Sequence, residues 1–306
     1  MPDLPAEPDD DDLQLSLYVC YELSYRSFPD VDPDWEWSPA ILQLRGRLER
    51  AFLAQVSEQV PRRPHVAQDE VAPLLFQLAA DDEGPSLSRF LESKGTDEHF
   101  REFAIHRSAY QLKEADPHTW AIPRLAGAPK AALVEIQADE YGGGRPERMH
   151  SRLFAQTMDA LELNSSYGVY LDLLPAPTLA TVNLMSFFGL HRRWMGAIVG
   201  HLAMFEMTSP LPNRRYGNGL RRLGHGSDAT GFYDEHVEAD SVHENIAAYD
   251  LAGGLARQEP ALAGDILFGA EALLCLEDDF ARHLLSHWRR GEPSLRKAAV
   301  SELARV

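Results

Sequence analysis

The sequence is short of cysteine and of basic residues, and each shortage excludes a class of protein. Only two cysteines occur among 306 residues, Cys20 and Cys275, so a CxxC zinc site is impossible. Two buried thiols are expected rather than a disulfide framework. Lysine and arginine number 29 against 47 aspartates and glutamates, and the formal net charge is −18. Nucleic acids and anionic membranes favour clustered positive charge, so neither is expected as a partner.

Signals for secretion or membrane insertion are also missing. The chain begins MPDLPAEPDDDD, which is acidic and proline-rich, the opposite of the basic start of a signal peptide. No uninterrupted apolar stretch reaches the roughly 20 residues that a membrane-spanning helix needs. We therefore expect a soluble, cytoplasmic protein.

Strand signals are scarce, and helical patterns recur along the chain. Runs of alternating β-branched residues with hairpin turns are absent, and so are the GxxxxGK[ST], HExxH and GxSxG motifs. The sequence predicts an all-α fold, with a helical bundle as its main part and a polar loop over 209–231. The predicted segments are a disordered acidic tail (1–12), an N-terminal helical extension (13–95), a main helical bundle (96–290) and a C-terminal tail (291–306).

Metal-binding residue types recur within FYDEHVEADSVHE, residues 232–244. On a helix, His236, Asp240 and His243 fall within a narrow arc of one face. Such a face is often simply solvated. Asp240 and His243, however, form a carboxylate-x-x-His pair, the spacing that two helices of a four-helix di-iron protein each supply, while two others each supply a glutamate.

Other carboxylates could complete such a site. EYGGGRPERMH contains a second pair, Glu147 and His150, with Glu140 seven residues before Glu147 across three glycines. Glu206 lies in the apolar run GAIVGHLAMFEM. Burying an unpaired carboxylate costs several kcal/mol, so Glu206 should bind a metal or an arginine. Glu114 is interpreted as a surface residue.

The donor types favour iron over zinc. Imidazole and carboxylate ligands without thiolate suit Fe(II). A structural zinc site takes four ligands and usually includes sulfur, so a set this large exceeds what one zinc ion needs. Two iron or manganese ions bridged by carboxylates account for it better.

The order Glu-x(6)-Glu-x(2)-His, then a glutamate on an apolar helix, then His-x(3)-Asp-x(2)-His, resembles the haem-oxygenase-like diiron oxidases and oxygenases, the iron-containing redox enzyme family. The resemblance covers roughly residues 100–290. It implies a haem-oxygenase-like bundle without haem, two Fe(II) ions with the second weakly held, and O₂ as co-substrate. The implied metal ligands are Glu140, Glu147, His150, Glu206, His236, Asp240 and His243.

The same resemblance implies N-oxygenation of a small amine or amino acid in natural-product biosynthesis, with an external electron donor. A diiron oxidase that cleaves C–C bonds or desaturates, and a metal-free small-ligand-binding protein on the same scaffold, are the alternatives. Tyr141 and Tyr233 flank ligand residues and are candidates for proton transfer or for core packing. Arg214 and Arg215 could clamp a substrate carboxylate or offset nearby acids. An apolar patch on the extension could serve a homodimer.

Overall fold

The computed structural model of the chain describes residues 10–296, except for the side chains of residues 238–242. Within this range the secondary structure is helical and contains no strand, which confirms the all-α prediction. The α-helices are α1 (Asp10–Glu22), α2 (Pro39–Gln59), α3 (Val71–Ala80), α4 (Leu87–Lys94), α5 (Asp97–Gln111), α6 (Asp116–Thr119), α7 (Gly127–Glu140), α8 (His150–Ala160), α9 (Ala176–Leu190), α10 (Met195–Thr208), α11 (Pro210–Leu223), α12 (Ser227–Asn245), α13 (Gly253–Gln258) and α14 (Ala263–Arg289). Helix α12 continues into a π-helix, Ile246–Ala252.

The ends of the chain differ in part from the prediction. Residues 10–12, assigned to a disordered tail, form the first turn of α1, because carboxylates stabilise the N-terminus of a helix. The Asp11 carboxylate also accepts a hydrogen bond from the backbone N–H of Ala176. Residues 1–9 of that tail, and 297–306 of the predicted C-terminal tail, lie outside the described residues.

The polar loop predicted over 209–231 is wrong, because most of it is helix α11. Its charged side chains cover one side, while Tyr216, Gly217, Gly219 and Leu220 are buried on the other. A Cβ on Gly219 would lie 2.7 Å from the Phe100 ring, so glycine lets α11 approach the bundle closely. Glycines that suggest a loop in the sequence serve here as helix-packing residues.

Helices α10 and α14 form the centre of the bundle, and glycines bring their backbones together. A Cβ on Gly200 would overlap the carbonyl oxygen of Ile266, and one on Gly269 would overlap that of Ala197. This close contact fixes α10, which carries Glu206, against the longest helix of the described chain.

The N-terminal helices pack into the same core as the bundle. Leu17 of α1 and Phe52 of α2 belong to one apolar cluster with Phe187 and Phe268 of α9 and α14. The Phe52 and Phe187 rings meet edge to face with centroids 6.4 Å apart. Cys20 is buried, Cys275 is half-buried, and both are free thiols. Between residues 10 and 296, no helix combines the length and apolarity needed to cross a bilayer.

Candidate metal centre

Carboxylates and imidazoles from distant parts of the chain converge inside the bundle. Glu114 follows α5, Glu140 ends α7 and His150 begins α8. Glu206 lies in the last turns of α10, and α12 contributes His236 and His243. All six are buried. They form two overlapping groups, site 1 (Glu114, Glu140, His150, His236) and site 2 (Glu140, Glu206, His243).

In site 1 the four residues can each place one donor atom within 4.8 Å of the others. Nδ1 of His150 lies 2.9 Å from Oε2 of Glu140, and Nε2 of His236 lies 3.5 Å from Oε1 of Glu114. The Nδ1 atom of His236 contacts the Phe232 carbonyl oxygen at 2.7 Å, which orients its ring and leaves Nε2 facing the site.

Site 1 fits a metal ion, because polar atoms there lack hydrogen-bond partners among the described residues. These atoms are Oε2 of Glu114 and Nε2 of His150. Nδ1 of His150 faces Oε2 of Glu140 at 2.9 Å. A buried polar atom left unpaired costs about 1–3 kcal/mol, so such atoms are rarely left without a ligand. Their nitrogen and oxygen chemistry is that of an iron site.

Site 2 shares Glu140 with site 1. Nδ1 of His243 lies 3.3 Å from Oε2 of Glu206, and its Nε2 lies 3.0 Å from Oδ2 of the more exposed Asp139. Because Glu140 has a donor atom within reach of both groups, it is the candidate for a carboxylate that bridges two ions.

The electrostatics favour the ionised form of the shared carboxylate. Burial by itself would raise the pKa of Glu140, but the neighbouring His150 outweighs it and lowers that pKa below its usual range. Burial raises the pKa of Glu114. Burial would lower the pKa of His243, yet its hydrogen bond to Glu206 and the charge of that carboxylate raise it to about 9. Without a metal ion, His243 is therefore protonated at neutral pH, and a cation bound in site 2 would replace that proton.

The structure brings together five of the residues implied by the resemblance, but not all seven. Those five are Glu140, His150, Glu206, His236 and His243. Asp240 lies on α12, and its side chain is outside the described residues. Glu147 is exposed and joins neither site.

The pairing of Glu147 with His150 on one helix is wrong for a backbone reason. Three successive glycines adopt left-handed φ angles of 67°, 60° and 79°, which end α7 at Glu140. A short 3-10 turn, Pro146–Arg148, follows, and α8 begins only at His150. The spacing rule for a helix does not apply across this break.

Glu114 was missed, since it is buried in site 1 and not on the surface. A signal for it does exist in the sequence. Glu114 comes four residues after the buried Tyr110 and eleven after the buried Phe103, which is the period of one helical face. Lys113 and Asp116, which lie close to Glu114 in the sequence, suggested a solvent-exposed segment instead.

The candidate tyrosines and arginines have different surroundings. The Tyr141 hydroxyl donates to Asp116 at 2.9 Å, outside both sites. Tyr233 is buried, and its hydroxyl has no hydrogen-bond partner among the described residues. Arg214 is exposed. Arg215 is largely buried, with Nη1 3.4 Å and 3.3 Å from the hydroxyls of Ser86 and Ser88.

A cavity of about 720 Å³ lies next to the metal-binding groups. Tyr233 and Arg215 line it, together with Arg107, whose guanidinium binds Glu277 through two hydrogen bonds of 2.9 Å and 2.7 Å. Phe205 and Ser209 line both this cavity and the narrow one between Glu114, Glu140, Glu206 and His236. The two cavities therefore adjoin at Phe205 and Ser209.

The buried imidazole and carboxylate donors are of the kind that binds iron. The chain belongs to the iron-containing redox enzyme family, whose sequence model matches residues 101–278, and the resemblance seen in the sequence is thereby confirmed. Part of the chain is also similar to a nitrosourea synthase of Streptomyces achromogenes subsp. streptozoticus, with 25% identity over 191 residues. That match covers 61% of this chain but only 40% of the length of the synthase.

Solved structures share the fold. Two crystal structures of a CADD-like protein of unknown function from Nostoc punctiforme superpose with TM-scores of 0.57 and 0.55. They are 15% and 14% identical to this chain, cover 72% and 74% of it, and are themselves covered to 97%. At this identity the likeness concerns the fold alone.

Proposed function

We propose that the chain is a non-haem diiron oxygenase that oxidises a nitrogen of a small amine, guanidine or amino acid in natural-product biosynthesis. The observation that carries this proposal is the buried Glu140 carboxylate, which belongs to both groups of metal-capable residues. One ion would need only one of these groups. A shared carboxylate with imidazole and carboxylate donors on either side is the arrangement of a dinuclear iron site.

The two sites differ in the number of donors that the described residues offer. Site 1 has four, whereas site 2 has three, so we expect the ion in site 2 to be held more weakly. Iron in these sites would supply the electrons that activate O₂. An external electron donor would be needed to reduce the iron for each turnover, and a cytoplasmic location is consistent with that need.

Oxidation of nitrogen is supported by the similarity to the nitrosourea synthase. A nitrosourea contains an oxidised nitrogen, so an enzyme of that name makes a product with N–O chemistry. The matched segment includes less than half of that protein. The residues that line the cavity of this chain would therefore determine which substrate binds.

The large cavity offers groups that would orient a substrate. The Arg215 guanidinium lies 3.4 Å and 3.3 Å from the hydroxyls of Ser86 and Ser88 and 3.8 Å from a carboxylate oxygen of Glu92. It also lines the cavity, where it could bind a substrate carboxylate. Burial raises the pKa of Tyr233 far above its usual range, so its hydroxyl remains a hydrogen-bond donor. Phe205 would exclude water where the two cavities adjoin. The reactive nitrogen would then lie near the metal ions.

Anaerobic Fe(II) titration followed by rapid mixing with O₂ tests the proposal. We expect uptake of about two ions per chain, a transient visible absorption band, and, with a basic amino acid present, ¹⁸O from ¹⁸O₂ on nitrogen. Glu140→Ala should abolish the transient, and the exposed Glu147→Ala is the matched control. A product with a broken C–C bond or a new C=C bond would instead identify a cleaving or desaturating oxidase. Failure of the parent protein to take up iron would favour a metal-free binding protein.

A further inference from the structure

An ion pair with no role in the proposed chemistry is buried beside the metal centre. Nζ of Lys113 lies 2.9 Å from Oε2 of Glu22, and each side chain is only 1% exposed. The pair joins the turn that follows α5 to the last residue of α1. Charged residues are almost never fully buried unless paired, and even a buried pair must offset the loss of hydration of both charges. Its location therefore calls for an explanation other than simple stability.

Aromatic rings enclose the ammonium group of Lys113. Nζ lies 4.4 Å from the centroid of the Tyr25 ring, 4.7 Å from that of Tyr18 and 6.0 Å from that of Tyr167. The Tyr167 hydroxyl also donates to Oε2 of Glu22 at 2.7 Å. Cation–π attraction and this hydrogen bond hold both charges in one geometry.

Lys113 immediately precedes Glu114 of site 1. Both residues lie in a turn outside regular helix. Helix α5 ends at Gln111, and Ala115 has a left-handed φ of 73°, which is unfavourable for a residue with a Cβ. The backbone N–H of Glu114 makes only a long bond of 3.4 Å to the Gln111 carbonyl. The Lys113 N–H still donates to the Tyr110 carbonyl oxygen of α5 at 2.8 Å, and contacts outside α5 add to this restraint on the backbone that carries Glu114.

Besides local backbone hydrogen bonds, such as the one from the Lys113 N–H to the Tyr110 carbonyl oxygen at 2.8 Å, this turn, residues 112–115, has polar contacts with the end of the N-terminal helix. Besides the Glu22–Lys113 pair, Nη2 of Arg26 donates to the Leu112 carbonyl oxygen at 3.1 Å. Glu22 and Arg26 both lie outside residues 101–278, the part that matches the family. In this chain, then, a segment beyond the family match contacts the two residues that precede a metal-capable glutamate.

We propose that α1 and the residues after it position Glu114 for metal binding, through the Glu22–Lys113 ion pair and the Arg26–Leu112 hydrogen bond. Lys113, Glu22 and Arg26 are positioning residues, because none of them belongs to either metal group. The inference rests on the proposed metal centre and adds a requirement for the N-terminal segment. It predicts that loosening these contacts weakens site 1 and leaves site 2 unchanged.

The test is Fe(II) binding under anaerobic conditions, measured by competition with a coloured chelator. Lys113→Met and Glu22→Gln are made in the full chain and again with Glu206→Ala, which disables site 2 so that the titration reports on site 1. We expect Fe(II) affinity at site 1 to fall about 10- to 100-fold, as it does when residues that orient metal ligands are lost. The thermal midpoint is recorded alongside.

Glu49→Gln is the matched control for loss of a buried charge. Glu49 of α2 is buried and contacts Nε2 of His191 at 2.8 Å, away from residues 112–115. It should lower the thermal midpoint and leave Fe(II) affinity at both sites unchanged. An equal loss of iron in Glu49→Gln would show that the effect is general destabilisation, which would overturn the proposal.

Arg26→Ala tests the same positioning role without removing a buried charge. The Arg26 side chain is 47% exposed, so Arg26→Ala should fold and still release the Leu112 carbonyl. We expect weaker Fe(II) binding at site 1 in this variant too. Parent-like affinity in Arg26→Ala, or in folded Lys113→Met and Glu22→Gln, would overturn the positioning role. In that case the proposed function would stand, whereas absence of iron uptake by the parent would contradict the proposed function itself.

Discussion

Nδ1 of His150 lies 2.9 Å from Oε2 of Glu140, although the helix that carries Glu140 ends there and His150 begins the next one. The turn between them doubles back through Gly142, whose φ is +67°. A Cβ at this position would lie 2.6 Å from the Arg148 carbonyl carbon and 2.7 Å from the Met149 nitrogen. The approach of the two donors therefore depends on a glycine that is not itself a ligand.

Gly142→Ala should weaken iron binding at site 1. The new methyl group would push the 148–149 backbone, and with it His150, away from Glu140. Gly143→Ala is the control, because Gly143 also has a left-handed φ, of +60°, but has nothing within 4 Å of an added Cβ. Both variants should lose roughly 1–2 kcal/mol from the left-handed backbone. Fe(II) titration should show a loss of affinity in Gly142→Ala alone, and equal affinities would contradict the role of this turn.

Glu114 and Glu147, whose burial differs from that expected from the sequence, give a second prediction. Glu114→Ala should lower Fe(II) affinity at site 1 by at least the ~10- to 100-fold expected for loss of a residue that only supports a ligand. Glu147→Ala removes an exposed side chain, so its free energy of unfolding should change by less than about 0.5 kcal/mol and its iron content should not change. Metal analysis of the two purified variants decides between the assignments. Iron loss in Glu147→Ala would restore the interpretation made from the sequence.

The structure shows which signals in the sequence are reliable. His236 and His243 lie on one uninterrupted helix, so the 3.6-residue period places them on the same face. The apolar surroundings of Glu206 reflect real burial. Glu147 was misplaced because helical spacing was extended across the glycines at 142–144, which break the helix.

Long-range contacts explain what the sequence could not predict. Glu114 stands next to Lys113, and a Lys-Glu pair in sequence usually indicates a surface. Burial of Lys113 depends on Glu22, 91 residues earlier, and no local pattern specifies that contact. The helical character of α11 was hidden for a similar reason, because Gly219 packs against Phe100 and Leu91 of other helices.

Arg215 gives a prediction for substrate binding. Loss of a charge-assisted hydrogen bond costs about 1.5–3 kcal/mol, so Arg215→Gln should raise KM for the substrate about 10- to 100-fold. The kcat should change little, because the group binds the substrate away from the metal ions. Arg214→Gln, at the neighbouring exposed position, is the control. Steady-state O₂ consumption measures both constants, and an unchanged KM in Arg215→Gln would rule out an anion contact there.

Buried neutral histidines should make the free energy of unfolding decrease at low pH. His106 is buried and belongs to neither metal group, and its Nδ1 lies 2.7 Å from the Thr178 hydroxyl and its Nε2 2.9 Å from the Ser294 hydroxyl. Burial, aided by nearby His283, lowers its pKa well below 6.5. The unfolded chain takes up a proton below that pH and the folded chain does not. The contribution of His106 to stability is therefore constant above about pH 6.5 and is lost as the pH falls.

One such histidine contributes about 1.4 kcal/mol per pH unit below the unfolded pKa. His106→Gln keeps a neutral side chain that can bond the same hydroxyls but cannot titrate. Urea unfolding of the metal-free protein between about pH 7 and about pH 5 should thus show a slope shallower by about one proton in this variant. His118, whose burial lowers its pKa to about 4, should maintain part of the slope in both proteins. Identical slopes would mean that His106 becomes protonated in the folded state, which its contacts with Thr178 and Ser294 would have to accommodate.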